Sequence, residues 1–182
     1  MQEQLRILAS QIIADRSAAE GLQRFIYEGQ CMYPVLEDGD LVFVKSISPE
    51  KLHLGDIVVL KNGKHPYIHR YLHTHRSRSG QYQIITKADR YLRTDKPAFF
   101  QEFIGKVVRI KANCRQISLE KAPFKIVSFL IGLASLLEAS MIDFLKRLHP
   151  KSLEINKSTK RQTQKWVQAP KSLLEKMFGW LQ

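Results

Sequence analysis

A thiol becomes an effective nucleophile when a neighbouring base takes its proton or when its pKa is lowered. The chain holds two cysteines, Cys31 and Cys114. Cys31 lies in Gly29-Gln30-Cys31-Met32-Tyr33-Pro34, directly after a strand-like stretch at residues 24–28. Gly29 permits a tight approach, and Pro34 stiffens the exit. Gly39-Asp40 then turns the chain into the next apolar run, residues 41–44. The layout puts one thiol at the end of a strand, beside backbone N–H groups. Alone, such a cysteine is more often a small buried residue than a nucleophile, so its partners decide the matter.

The natural partner is a histidine, and the chain has six. His53, His65, His73, His75 and His149 fall in turns, at strand edges or in the tail. His69 differs, because it sits in mid-strand in Pro66-Tyr67-Ile68-His69-Arg70-Tyr71, just after the hairpin signal Asn62-Gly63. A histidine base also needs orienting, usually by a carboxylate on its other ring nitrogen. Residues 86–95 supply two such groups beyond the next strand, Asp89 and Asp95. Periodicity does not choose between them.

These residues need a frame. Strand candidates rich in Val, Ile, Tyr and Phe occur at residues 41–47, 56–61, 67–73, 82–87, 103–111 and 116–119. Turn signals separate them, and no helix intervenes, so a compact, mainly β body over residues 24–120 is expected. Before it, residues 1–23 carry Leu5, Leu8, Ile12 and Ile13 at helical spacing, an amphipathic helix that packs on the body or meets a membrane. After it, residues 121–150 contain a twelve-residue run without charge, 126–137. On a helix, Ser128, Gly132, Ser135 and Ala139 form a narrow stripe, and Phe129, Leu130, Leu133, Leu137, Met141 and Phe144 a wide apolar face. Two readings stand for this helix: packing on the sheet, or an interfacial anchor flanked by lysines. The uncharged run is shorter than the roughly 20 residues of a bilayer span. Residues 151–182 read as a basic linker and a short terminal helix opened by Ser172-Leu173-Leu174-Glu175.

Here the order of segments resembles the signal peptidase I and LexA-like superfamily, the S24/S26 peptidases. The resemblance covers roughly residues 24–112. It rests on Gly29-Gln30-Cys31-Met32-Tyr33-Pro34, Gly39-Asp40, Gly55-Asp56-Ile57-Val58, Ile68-His69-Arg70, Thr86-Lys87-Ala88-Asp89 with Asp95, and Gly105-Lys106-Val107. It implies that Cys31 stands at the nucleophile position, where the family has Ser. His69 matches the branch with a His base, and Asp89 or Asp95 would orient it. The resemblance also implies an oxyanion site at the Cys31 backbone N–H, with Gly29 leaving room for substrate. Met32 and Pro34 would hold the turn by packing. Lys87 belongs to the Thr-Lys-x-Asp box rather than to the base strand. The chain departs from the family at Cys31, at Ala88 in place of Gly and at Tyr91 in place of Asn.

The implied activity is an endopeptidase acting on a leader or signal peptide. The alternative is a catalytically silent module that grips an extended peptide. No cofactor or metal is expected, since the sequence has no zinc-ligand spacing. Few cysteines and the lack of an export signal at the N-terminus point to a cytoplasmic protein, or one peripheral on a membrane. The formal charge is +12, and residues 111–182 hold 13 basic against 5 acidic residues. That excess suits an anionic membrane surface. No specific nucleic-acid partner is expected, because residues 1–23 are too short for a helix-turn-helix.

Overall fold

The computed structural model describes residues 21–63, 65–112 and 115–148. The expected N-terminal helix, the terminal helix, Cys114 and His149 lie outside the described residues. What is described is mainly β. Its strands are β1 (Leu22–Ile26), β2 (Leu41–Lys45), β3 (Ile57–Asn62), β4 (His65–Arg76), β5 (Tyr82–Lys87), β6 (Ala98–Phe99), β7 (Phe103–Ala112) and β8 (Arg115–Ser118), followed by one helix, α1 (Ala122–Leu148). They form one antiparallel, curled sheet in the order β1-β2-β7-β3-β4-β5-β6. β7 binds it together: β2 lies on one flank, while β3 and then β8 pair along the other.

The continuous apolar runs of β2 and β3 follow from burial on both faces. Side chains alternate along β3. Ile57 and Val59 join one core with Val42, Val44, Met32 and Leu36. Val58 and Leu60 join a second core with Tyr71, Ile84 and Ala98. The same alternation divides β4. Ile68 joins the first core, while His69 lies opposite Val58 across the β3–β4 ladder.

Most boundaries shift by one or two residues, and two features go beyond the sequence pattern. β4 runs past its apolar stretch to Arg76, because Thr74, His75 and Arg76 continue the ladder opposite β5. The two-residue β6 follows Pro97 and is defined by pairing with Gln83 and Ile84, too short for any periodicity to show.

Helix α1 packs on the body, but with its narrow stripe inward. Ser135 and Glu138 are buried with Phe124, Val127 and Ile131, while Ile126, Leu137 and Phe144 are each 60% exposed or more. Close approach at two glycines explains the orientation. A Cβ on Gly132 would lie 2.6 Å from the Gly55 Cα, and one on Gly55 would lie 2.1 Å from the Ser128 carbonyl oxygen. Gly55 also has φ +94°, so its turn needs glycine for conformation as well as for space. Two buried ion pairs lie at this junction: Arg70 with Asp89, and Lys87 with Glu138 at 2.8 Å. Lys87 is thus an anchor for α1.

Candidate active site

The loop after β1 is closed at its neck. The Tyr27 N–H donates to the Asp40 carbonyl at 2.8 Å, and the Gly39 N–H donates to the Tyr27 carbonyl at 2.9 Å. Gly29 takes φ +110°, a conformation that disfavours side chains, and its N–H donates to Asp38 Oδ1 at 2.7 Å. No atom crowds the place of a Gly29 Cβ, so the backbone angle is what calls for glycine. Next comes a single turn in which the Val35 and Leu36 N–H groups donate to the Met32 carbonyl. Met32 is fully buried in the first core, and Pro34, after a cis peptide bond, is half-buried. Anchored from beneath, the turn leaves Cys31 half-exposed.

His69 on β4 reaches this thiol: its Nε2 lies 3.3 Å from Cys31 Sγ. Nδ1 lies 2.6 Å from Asp95 Oδ2. Since a carboxylate oxygen only accepts, the Nδ1 position carries the hydrogen, and Nε2 is left to exchange a proton with sulfur. Asp95 is fixed in turn, because the Thr86 hydroxyl donates to Oδ2 at 2.7 Å and the Asp95 N–H donates to the Thr86 carbonyl at 2.8 Å. The Tyr67 ring stands edge-on to the imidazole, with centroids 5.2 Å apart.

Asp89 takes a different place from the one open to it in the sequence. Its carboxylate accepts from Arg70 Nε at 2.8 Å and from Arg70 Nη2 at 2.6 Å, buried away from the His69–Cys31 contact. The turn it begins still touches the site, since the Arg90 N–H donates to the Cys31 carbonyl at 2.9 Å. Asp89 therefore bears on the Cys31 turn only through the backbone of its neighbour, and Asp95 is the carboxylate on the His69 ring.

The sequence did not single out Tyr27. Its hydroxyl lies 3.1 Å from Cys31 Sγ and accepts the Met32 N–H at 2.9 Å. The only signal is position, just past the end of β1 and four places before the thiol. Among the described residues no cluster of His, Cys, Asp or Glu side chains is placed to hold a metal ion.

Charge is shared across the pair. Burial opposes ionisation of Cys31, yet hydrogen bonds from His69 and Tyr27 outweigh it and lower the thiol pKa from its ordinary value. Burial likewise opposes charge on His69, but Asp95 and Cys31 raise its pKa to about 9. The two titrate as a coupled unit, with thiolate and imidazolium stabilising each other. The signs are opposite. His69 adds stability in full below its unfolded value of 6.5 and loses it as pH rises through about 9. Cys31 adds stability above its unfolded value and loses it as pH falls through its lowered one. Iodoacetamide labelling of Cys31, followed site by site by mass spectrometry, is therefore expected to begin below the pH of a free thiol. Labelling of Cys31 that starts only near pH 8.5, the ordinary range, would show that no ion pair forms.

Comparison with protein-family models, with curated proteins and with solved structures finds no match to this chain.

Proposed function

We propose that the protein is an endopeptidase, similar in plan to the S24/S26 peptidases, with Cys31 as nucleophile, His69 as base and Asp95 as the group that orients it. One observation carries the reading: the unbroken contact chain from Cys31 Sγ through both nitrogens of His69 to Asp95. In the first half-reaction the Cys31 thiolate attacks the scissile carbonyl carbon. The oxyanion is received by the Cys31 backbone N–H; the next N–H, that of Met32, is already given to Tyr27. The imidazolium of His69 then protonates the leaving amine as the C–N bond breaks, which leaves a thioester. In the second half-reaction neutral His69 takes a proton from water, hydroxide adds to the thioester, and the thiolate departs.

An extended leader or signal peptide is the substrate class that fits. A groove of about 650 Å³ lined by His69, Asp95, Tyr67, Phe99 and Glu102 adjoins the base. Another of about 480 Å³, lined by Gly29, Gln30, Tyr33, Asp38 and Arg90, adjoins the nucleophile. A chain laid across both would bring one peptide bond to Cys31. The test is to incubate the full chain with unstructured leader-type peptides, quench in mild acid and look for a Cys31 thioester and cut products by mass spectrometry. Peptide binding without thioester or products would point instead to the silent binding module.

The orientation of α1 supports a site of action at an anionic membrane surface. By length and composition Ala122–Ile142 is apolar enough to cross a membrane. Its inner face is occupied by the sheet and holds the buried Glu138, so the helix is proposed to lie in the lipid interface with its large side chains downward. Exposed Lys121 and Lys125 at its start, and the excess of basic residues in 111–182, complement anionic headgroups. The full chain is expected to sediment with phosphatidylglycerol-containing vesicles, more weakly in high salt. Leu133→Glu with Leu137→Glu is expected to reduce binding at least about tenfold, from lost apolar insertion. Vesicle binding unchanged by these two substitutions would remove the assignment, as would self-association through this face.

A further inference from the structure

A phenol hydroxyl carries one hydrogen. At Tyr27 the Met32 N–H donates into the oxygen at 2.9 Å, and an N–H cannot accept in return. The hydroxyl's own hydrogen is thus available for its other neighbour, Cys31 Sγ at 3.1 Å. We propose that Tyr27 is a catalytic residue: it donates a hydrogen bond to the Cys31 sulfur and, with His69, holds that sulfur as a thiolate before substrate binds.

The surroundings fix this direction of donation. Tyr27 is 3% exposed, with both of its backbone groups tied to the Gly39–Asp40 turn, so the ring has little room to leave. Burial, reinforced by the contact with Cys31, raises its own pKa far above the ordinary phenol range, so the hydroxyl keeps its proton. Donation to an anion is stronger than donation to a neutral thiol, so the contact favours the ionised sulfur. Sulfur then has two donors, Tyr27 at 3.1 Å and the imidazolium Nε2–H at 3.3 Å. Such a donor suits a nucleophile that ionises before it attacks. A serine hydroxyl loses its proton during attack, and the same donor would tie up the lone pair it needs. The site is in this respect fitted to cysteine.

The catalytic meaning of Tyr27 rests on the peptidase reading, but the ionisation of Cys31 can be measured without substrate. In the full chain, site-resolved iodoacetamide labelling is followed against pH for wild type, for Tyr27→Phe and for 3-fluorotyrosine placed at position 27. Removing the donor is expected to raise the midpoint for Cys31 by about one pH unit or more. The fluorinated ring keeps the acceptor for Met32 and has a more acidic hydroxyl, so it is expected to lower the midpoint. With a cleavable peptide, Tyr27→Phe is expected to lose kcat/KM at neutral pH and to regain part of it as pH rises toward about 9, above which His69 gives up the proton that the leaving amine needs. Midpoints that do not move, or that rise with both substitutions, overturn the assignment and leave Tyr27 a packing residue. If Tyr27→Phe fails to fold, the fluorinated protein still decides. Opposite midpoint shifts together with no cleavage by wild type would uphold the tyrosine donor while removing the peptidase reading.

Discussion

Cys31→Ala is expected to lower peptide cleavage by about 10⁴-fold or more, because the bond-forming atom is gone and no neighbouring side chain replaces it. His69→Ala should cost a similar factor at neutral pH, for three reasons. The thiol loses the base that ionises it, the thiolate loses its counter-charge, and the leaving amine loses its proton donor. The double variant should be little worse than either single one, as befits groups that act as one unit. pH separates the two. Raising it ionises the thiol without help from His69, so the His69→Ala variant should recover its reactivity toward iodoacetamide, though not its cleavage of an amide, which still needs the acid. Cys31→Ala should recover neither. Folding is a poor alternative explanation, since Cys31 is half-exposed and Tyr27 can still accept the Met32 N–H. Single-turnover product formation by mass spectrometry is the measurement, and turnover close to wild type in either variant would remove the chemistry proposed for this site.

The pairing of Cys31 with His69 was open to a reader of the sequence because each sits in a short box with its own local logic. A glycine-bounded turn follows one strand, and a hairpin delivers the other. The 38 positions that separate them are bridged by ladder pairing, which apolar periodicity anticipates. The choice between Asp95 and Asp89 was not legible. It depends on Thr86, whose carbonyl and hydroxyl both hold Asp95, and on Arg70, which claims Asp89. Arg70 and His69 are consecutive on β4 and so project to opposite faces, and that simple alternation sends the two carboxylates apart. The inward face of α1 was hidden for another reason. Spacing shows which residues share a stripe, but hydrophobicity alone would have turned the larger stripe inward. The Gly55–Gly132 contact reverses this, because two backbones can meet there only where no side chain intervenes. Tyr27 carries no distinguishing signal, since a tyrosine in a strand-like stretch has so many ordinary uses.

Arg70→Met is expected to destabilise the domain by about 3–5 kcal/mol, a large part of the 5–15 kcal/mol typical of a folded domain. The guanidinium is fully buried, and each of its three nitrogens donates: Nε and Nη2 to Asp89, and Nη1 to the Gly55 carbonyl at 2.7 Å. Methionine fills a similar volume but leaves the Asp89 carboxylate, itself 2% exposed, without the guanidinium charge that faces it. The cost belongs to that buried, uncompensated excess of charge more than to the lost attraction, so removing the second charge should return much of it. Arg70→Met with Asp89→Leu is expected to unfold in denaturant closer to wild type than Arg70→Met alone, despite carrying two substitutions. A single variant within about 1 kcal/mol of wild type would mean that the buried pair contributes no more than a surface ion pair does. Activity should follow stability only in part. The Asp89 turn also presents the Arg90 N–H to the Cys31 carbonyl, so the double variant, even when well folded, should show a nucleophile turn less firmly held and a lower kcat. A carboxylate in the Thr86-Lys87-Ala88-Asp89 box would then serve the reaction without touching a proton, by fixing the backbone from which the thiol projects.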